Sequence, residues 1–435
     1  MARPCVFTAA SLLALMGAPF QAFSPVAPAS AAPASQAFVV AGRAGELPSD
    51  RPVAARLGEK VTAWAVLRLH EGRRWQLYSD APALSLRRRR YRRGRRGAAG
   101  LKPLSALGRL RVRWWRVEPR PHHVKTRPPN PGNPAYSNAH LFGPKHGSWL
   151  GYDTLEYKET PIFTPAAKAT RAATASRLVL SRTNPSHVKV NVNGGLGTMR
   201  YKVTIELLDR GQTLASFGKD RVGKRGISPR VLRVTFRSGD DFPGYLRGFF
   251  NVPNVFGSGG HGRHHQTDLY QGADCADVIV GALRAAGARV PYTSARGLTR
   301  YTRPVTQRLL LTKSGVFTTD GTTPVALRFG VAPNADLRSG DIMLIDYKDF
   351  QDSPRSWDHV AVLDHDRGVR GRFDPADPIL HMGYLYGLTE KTAAGEAPAY
   401  VQFLRLRLRY RRAIDRHRRR LRRLDARRRR RAGVS

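Results

Sequence analysis

The chain has few acidic residues, very few cysteines and no long apolar run. Among its 435 residues, 32 Asp and Glu stand against 74 Lys and Arg, so the formal net charge is +42. The two cysteines exclude a disulfide scaffold. Because no apolar run reaches about 18 residues, a multi-span membrane protein is excluded as well. The 41% hydrophobic content excludes wholesale disorder, and the length is enough for two or three domains of roughly 100–200 residues each.

Much of the positive charge is concentrated in residues 87–96 and 405–431, which are rich in arginine. Runs of like charge are usually solvated and locally disordered. They can also bind an anionic polymer. The partners expected on that second interpretation are peptidoglycan or another acidic envelope polymer, nucleic acid, or an anionic membrane. No stable protein partner is predicted.

Residues 1–31 have the pattern of a secretory signal peptide. Arg3 supplies a short positive region, Val6–Met16 is apolar, and Ala29–Ala31 forms a small-x-small cleavage site. A protein secreted or exported to the periplasm of the bacterial cell envelope is therefore expected. Cys5 would be removed with the signal, so Cys275 would be the single thiol of the mature chain.

The rest of the chain divides by its pattern into a β-rich part, a mixed part and a tail. Short β-branched runs separated by turn residues predict an all-β, sandwich-like module over 46–237, with 87–96 as an exposed arginine-rich loop. Residues 240–404 combine a helical pattern with several strand patterns, which predicts an α+β domain. Residues 405–435 are expected to be disordered or loosely helical.

Cys275 lies at the start of the predicted helix, Asp274–Gly287. Asp274 is placed as the N-cap, and Gly287 as the stop. Because a helix N-terminus favours an anion, the pKa of the Cys275 thiol is expected to be lowered, as in a nucleophilic cysteine. An inert, packed thiol is the alternative.

Two histidines each begin, or nearly begin, a predicted strand after this helix. His359 starts the run His359–Leu363, and His381 lies near the start of Ile379–Tyr386. If these strands are adjacent, a nucleophilic Cys275 would have a base and a residue that orients the base within reach.

These motifs, in this order, resemble those of the NlpC-type cell-wall cysteine peptidases of the papain-like superfamily. The matching segments are Tyr270–Asp277 (YQGADCAD), Gly340–Ile342, Asp358–Val362 and Leu380–His381. The resemblance covers about residues 240–390. It implies a papain-like α+β fold, in which a helix packs on a small antiparallel sheet, preceded here by the β-rich module.

The resemblance also implies an activity, the cleavage of amide bonds in peptidoglycan stem peptides through a thioester. Cys275 would be the nucleophile, His359 the general base and acid, and His381 the residue that orients the base. The backbone N–H of Cys275 could stabilise the oxyanion. No cofactor and no metal are implied.

The sequence departs from the family pattern directly after the cysteine. Ala276–Asp277 replaces the usual Ser-Gly, which places the usual stem-peptide specificity in doubt. Tyr270 could line the substrate site or simply pack in the core. Asp274 could bind a substrate amine or only cap the helix.

Two further interpretations remain open, and a third signal is set aside. The chain could be a non-catalytic envelope-binding or polyanion-binding protein that uses its arginine-rich segments. It could also be an acyltransferase that uses the same cysteine and histidines. A metal site at His261, His264 and His265 has no Cys or carboxylate spaced to complete it.

Overall fold

The computed structural model describes residues 35–71, 74–94, 100–120, 157–162, 176–183, 193–223, 226–255, 258, 266–331, 333–347, 357–383 and 387–432. The predicted signal peptide and the three histidines at 261–265 lie outside these residues.

The described residues form 23 strands and three α-helices. The first strands are β1 Gln36–Arg43, β2 Val53–Arg56, β3 Val61–Glu71, β4 Arg74–Tyr78, β5 Ala83–Leu86, β6 Arg89–Arg93, β7 Gly100–Lys102 and β8 Leu110–Pro119. They are followed by β9 Tyr157–Ile162, β10 Arg177–Leu180, β11 Gly197–Leu207, β12 Gln212–Ala215, β13 Val222–Gly223, β14 Gly226–Ile227 and β15 Leu232–Arg237. The last are β16 Thr302–Pro304, β17 Leu309–Leu311, β18 Val316–Phe317, β19 Ile342–Tyr347, β20 His359–Leu363, β21 Pro378–Gly383, β22 Gly387–Thr392 and β23 Ala399–Leu406. The helices are α1 Phe242–Arg247, α2 Cys275–Ala285 and α3 Leu408–Ala432.

Two sheets form the upstream part of the chain. A seven-stranded sheet has the order β1-β3-β4-β7-β6-β5, with β10 also paired to β3. A six-stranded sheet has the order β2-β15-β11-β8-β9, with β12 paired to β11. Apolar side chains that alternate along β1, β3, β8, β11 and β15 fill one core between them, including Val39, Leu67, Trp114, Ile205 and Phe236. A separate two-stranded sheet pairs β13 with β14.

The downstream sheet has eight antiparallel strands in the order β18-β17-β23-β19-β20-β21-β22, with β16 paired to β23. Strand alternation gives it two buried faces. One face packs against α1 and α2, for instance through Val360 and Val362. The other carries Ala361 and Leu363 and is covered by loop side chains such as Phe373.

The expected papain-like α+β class, a helix on a small antiparallel sheet, is wrong. The structure is mostly β, with 43% strand against 18% helix and large sheets. Segments as short as β17 and β18 carry no periodic pattern of their own. They extend the sheet because they pair with each other and β17 pairs with β23. The sheet is therefore much larger than the motifs predicted.

The two arginine-rich segments are ordered where they are described. Arg89–Arg93 is not a loop but strand β6, which pairs with β5 and β7. Tyr91 packs inward, and the arginines of this strand are exposed. Arg405, at the start of the predicted tail, is in β23 and donates to both carboxylate oxygens of Asp341 at 2.9 and 2.7 Å. The tail continues as α3, which packs through the buried Ile414.

Candidate active site

Cys275 is the first residue of α2, as the sequence predicts. Asp274 caps the helix, because its Oδ1 atom accepts from the backbone N–H groups of Ala276 at 3.0 Å and Asp277 at 2.8 Å. Gly287 ends this helical segment at φ +96°, a conformation that glycine adopts without strain. The apolar side chains of α2 then hold its N-terminus against the eight-stranded sheet.

The sulfur of Cys275 reaches strand β20. The side chain is partly exposed, and backbone N–H groups of Ala276 and Val360 lie within hydrogen-bonding reach of the sulfur. Burial raises the pKa of this thiol, and the carboxylates of Asp274 and Asp277 raise it further. These effects outweigh the two N–H groups, so the expected lowering of the pKa is wrong and the resting group is a thiol.

His359 and His381 are brought together by the pairing of β20 with β21. Ala361 is opposite His381 in the register, and the Nε2 atom of His359 lies 3.0 Å from the Nδ1 atom of His381. Burial lowers the pKa of His359 to about 4. Burial, with His359 and Lys391 nearby, lowers the pKa of His381 as well. Both rings are therefore neutral at neutral pH.

Glu396 completes this histidine group, although no sequence pattern predicted a role for this residue. It ends the 3₁₀ turn Ala393–Glu396 that follows β22, and its side chain is 1% exposed. The Oε1 atom lies 3.4 Å from Nδ1 of His381 and 2.6 Å from Nζ of Lys391. Tyr347 donates its hydroxyl to Oε2 at 2.5 Å. No local motif marks this glutamate, because its partners come from β19, β20, β21 and β22.

The cysteine and the histidines approach β20 from different sides. The side chain of His359 lies on the same face of β20 as those of Ala361 and Leu363, whereas Val360 lies on the opposite face, toward α2. The described contact of the Cys275 sulfur is to the backbone of Val360. His359, the residue before Val360, is the first residue of β20.

Tyr270 is packed in the core. Its ring stacks on Phe249 with centroids 4.2 Å apart, and the guanidinium of Arg233 lies 3.9 Å from its ring centroid. Arg200 donates to its backbone oxygen at 2.5 Å. These contacts favour ordinary packing over a role in lining the substrate site.

The two residues that follow Cys275 point inward. Ala276 and Asp277 are both buried, and Asp277 accepts a hydrogen bond from the hydroxyl of Ser258 at 2.8 Å. Asp277 is therefore occupied by a hydrogen bond inside the protein.

Compared with known proteins, the sequence matches no family model, and it finds no significant match among curated proteins or solved structures. Among the described residues, no helix is both long enough and apolar enough to cross a membrane.

Proposed function

We propose that this protein is a cysteine peptidase or amidase that cleaves amide bonds through a thioester on Cys275. The observation that carries the proposal is the hydrogen bond from the backbone N–H of Val360 to the Cys275 sulfur, because Val360 directly follows His359, whose ring lies 3.0 Å from His381. On this proposal Cys275 is the nucleophile, His359 the base and His381 the orienting group.

The raised pKa of the Cys275 thiol and the lowered pKa of His359 define the resting state as thiol and neutral imidazole. In the first step the imidazole accepts the thiol proton as the sulfur attacks the amide carbon. The amine then leaves with that proton, and the acyl group stays on sulfur as a thioester. Water hydrolyses the thioester and releases a carboxylic acid. The N–H of Cys275, at the start of α2, is the proposed oxyanion donor.

Peptidoglycan stem peptides are the proposed substrate class, and secretion or export to the periplasm is part of this proposal. Both are supported by the motif resemblance and the signal-like N-terminus, whereas the buried Ala276 and Asp277 leave the peptide sequence preference unassigned.

The test has two arms that use the full chain. In the first, iodoacetamide alkylation of Cys275 is followed from pH 6 to pH 10 in the wild type, in His359→Gln and in His365→Gln. His365 is a half-exposed histidine shortly after β20, so it serves as the matched control. We expect alkylation to slow by on the order of 100-fold in His359→Gln and to stay unchanged in His365→Gln.

In the second arm, muropeptides are digested with the wild type and with Cys275→Ser, and products are identified by mass spectrometry. Hydrolysis adds one water at the cleaved amide, whereas an acyltransferase transfers the acyl group to an added amine. Cleavage that persists in Cys275→Ser, or equal alkylation of the wild type and His359→Gln, would overturn the proposal.

A second candidate, a polyanion-binding protein, is favoured by one surface. Five arginines of α3 are exposed and line one groove with Leu424: Arg416, Arg419, Arg420, Arg423 and Arg427. Their spacing of three and four residues puts them on one side of the helix, where like charges repel unless an anion binds. The opposite side of α3 is held on the protein by Ile414.

This candidate is tested with a labelled single-stranded oligonucleotide and with vesicles containing an anionic phospholipid, each over a range of salt concentrations. One variant replaces Arg416, Arg419, Arg420 and Arg423 with Gln. The charge-matched control replaces four exposed arginines of the β5–β6 hairpin, Arg88, Arg89, Arg90 and Arg92. Binding that weakens only in the α3 variant and falls steeply with salt supports a role for this surface, whereas equal losses in both variants indicate only a net-charge effect.

A further inference from the structure

Three potential metal ligands converge beside β20 and β21. Within the described residues, His359, His381 and Glu396 form a group in which the potential ligand atoms all lie within 4.8 Å of one another. We propose that this group binds one late first-row divalent cation, represented by Zn²⁺, through Nε2 of His359, Nδ1 of His381 and Oε1 of Glu396.

The distances fit such an ion. The three ligand atoms are separated by 3.0, 3.4 and 3.9 Å. In a tetrahedral zinc site with bonds of about 2.1 Å, ligand atoms are about 3.4 Å apart. Small rotations of the side chains would therefore bring all three separations to the tetrahedral value. Two histidines and one glutamate are also a known zinc ligand set that leaves a fourth position open.

The carboxylate is held ready for a cation. Glu396 is almost fully buried, and its Oε1 atom makes no hydrogen bond of normal geometry within the described residues. Tyr347 fixes the other carboxylate oxygen, which is the kind of support that ligating carboxylates receive in metal sites. Lys391, whose ammonium lies 2.6 Å from Oε1, is the cation now at this position. Its side chain is 31% exposed, so a metal ion could displace it toward solvent.

The inference goes beyond the proposed hydrolase and does not depend on it. The histidine rings lie on the same face of the sheet as Ala361 and Leu363, whereas Cys275 lies on the other face, on the α2 side of β20. The cysteine is therefore not needed as a ligand. If the hydrolase proposal is correct, a metal ion on Nε2 of His359 would inhibit the enzyme, because a metal-bound imidazole is a poor base.

The experiment titrates Co²⁺ alone into the full chain carrying Cys275→Ser, and follows the visible absorption of the bound ion. We expect one equivalent to bind with the strong bands of a four- or five-coordinate site and to be displaced by Zn²⁺. Because the thiol is absent and the readout is binding, failure of the hydrolase proposal would leave this result unchanged.

Ligand and control variants locate the site. Two ligand substitutions, His381→Gln and Glu396→Gln, are each added to the Cys275→Ser chain. Each should weaken Co²⁺ binding by at least tenfold. Lys391→Met should strengthen it severalfold, because it removes the competing ammonium while keeping every ligand. His365→Gln and the double variant His264→Gln, His265→Gln should bind as well as the parent.

Two results would overturn the inference. One is the absence of stoichiometric Co²⁺ binding in both the parent and Lys391→Met. The other is binding that survives both ligand substitutions or disappears in the His264, His265 variant. Since Lys391→Met must gain affinity, misfolding of a ligand variant cannot mimic the expected pattern.

Discussion

The Nε2 atom of His359 faces the Nδ1 atom of His381 at 3.0 Å, with the two ring planes at 88°. Two facing ring nitrogens of neutral imidazoles can form this contact only if one carries the hydrogen and the other accepts it. When Nε2 of His359 donates, its Nδ1 atom holds the lone pair that a thiol proton needs. In the proposed mechanism, His381 thereby selects which nitrogen of His359 acts as the base.

Replacement of His381 tests this selection. Asn at position 381 offers an amide oxygen that can accept from Nε2, whereas Leu offers no acceptor. We expect the alkylation rate of Cys275 at pH 8 to stay within about tenfold of the wild type in His381→Asn, and to fall on the order of 100-fold in His381→Leu. Equal rates in the two variants would show that the His359–His381 contact does not control the base.

Asp274 has two separable effects, one on the helix and one on the thiol. Asp274→Asn keeps a capping oxygen but removes a negative charge, so the pKa of Cys275 should fall and its alkylation at pH 8 should accelerate. Asp274→Ala removes the charge and the cap together, and should also lower the free energy of unfolding by about 1 kcal/mol. Alkylation profiles and urea unfolding of both variants measure the two effects. An unchanged thiol pKa in Asp274→Asn would contradict the assigned cause.

The elements around Cys275 could be predicted because their signals are local. Asp274 and Gly287 mark the two ends of α2, and the structure confirms the helix between them as Cys275–Ala285. The run His359–Leu363 is confirmed as β20, since it contains two β-branched valines and both of its faces are buried.

The rest depends on contacts between distant residues. The eight-stranded sheet is large because β16, β17 and β18 join it through pairing. None of these three strands is longer than three residues. The raised pKa of Cys275 comes from burial, which the helix start alone does not reveal. Glu396 joins the histidines only because the β21–β22 hairpin brings its turn back to them.

Gly287 should be the most sensitive glycine at the contact between α2 and α3. A Cβ atom there would lie 2.6 Å from Cβ of His417, and φ is +96°. Gly58, at φ +87°, has open space around the same added atom, so Gly58→Ala is subject only to the backbone effect, roughly 1 kcal/mol. We expect Gly287→Ala to lower the free energy of unfolding by at least 1 kcal/mol more than Gly58→Ala, measured by urea denaturation. Equal losses would show that α3 moves away without cost.

His417 should make the attachment of α3 dependent on pH. Its ring lies on the body-facing side of α3, where Nε2 is 3.2 Å from the hydroxyl of Tyr245. Burial lowers the pKa of His417, and the nearby charges of Arg237 and Arg420 lower it further, whereas Asp240 opposes them.

The pKa of His417 is lower in the folded state than in the unfolded state. As the pH falls below the ordinary histidine value of about 6.5, the folded state therefore binds fewer protons than the unfolded state. The stabilisation by neutral His417 is therefore complete above that pH and is lost progressively below it. Between pH 7 and pH 5 the carboxylate of Asp240 stays ionised, because Arg56 and Arg237 together outweigh the effect of burial and lower its pKa.

Hydrogen exchange of residues 408–427, corrected for the intrinsic pH dependence of exchange, measures the opening of α3. We expect the free energy of opening to fall by less than about 1 kcal/mol between pH 7 and pH 5 in the wild type, because the ring is partly solvated. In His417→Gln this dependence should disappear, while α2 serves as the internal reference in both proteins. A wild-type α3 that opens equally at both pH values, or a pH dependence that persists in His417→Gln, would show that another group controls the attachment.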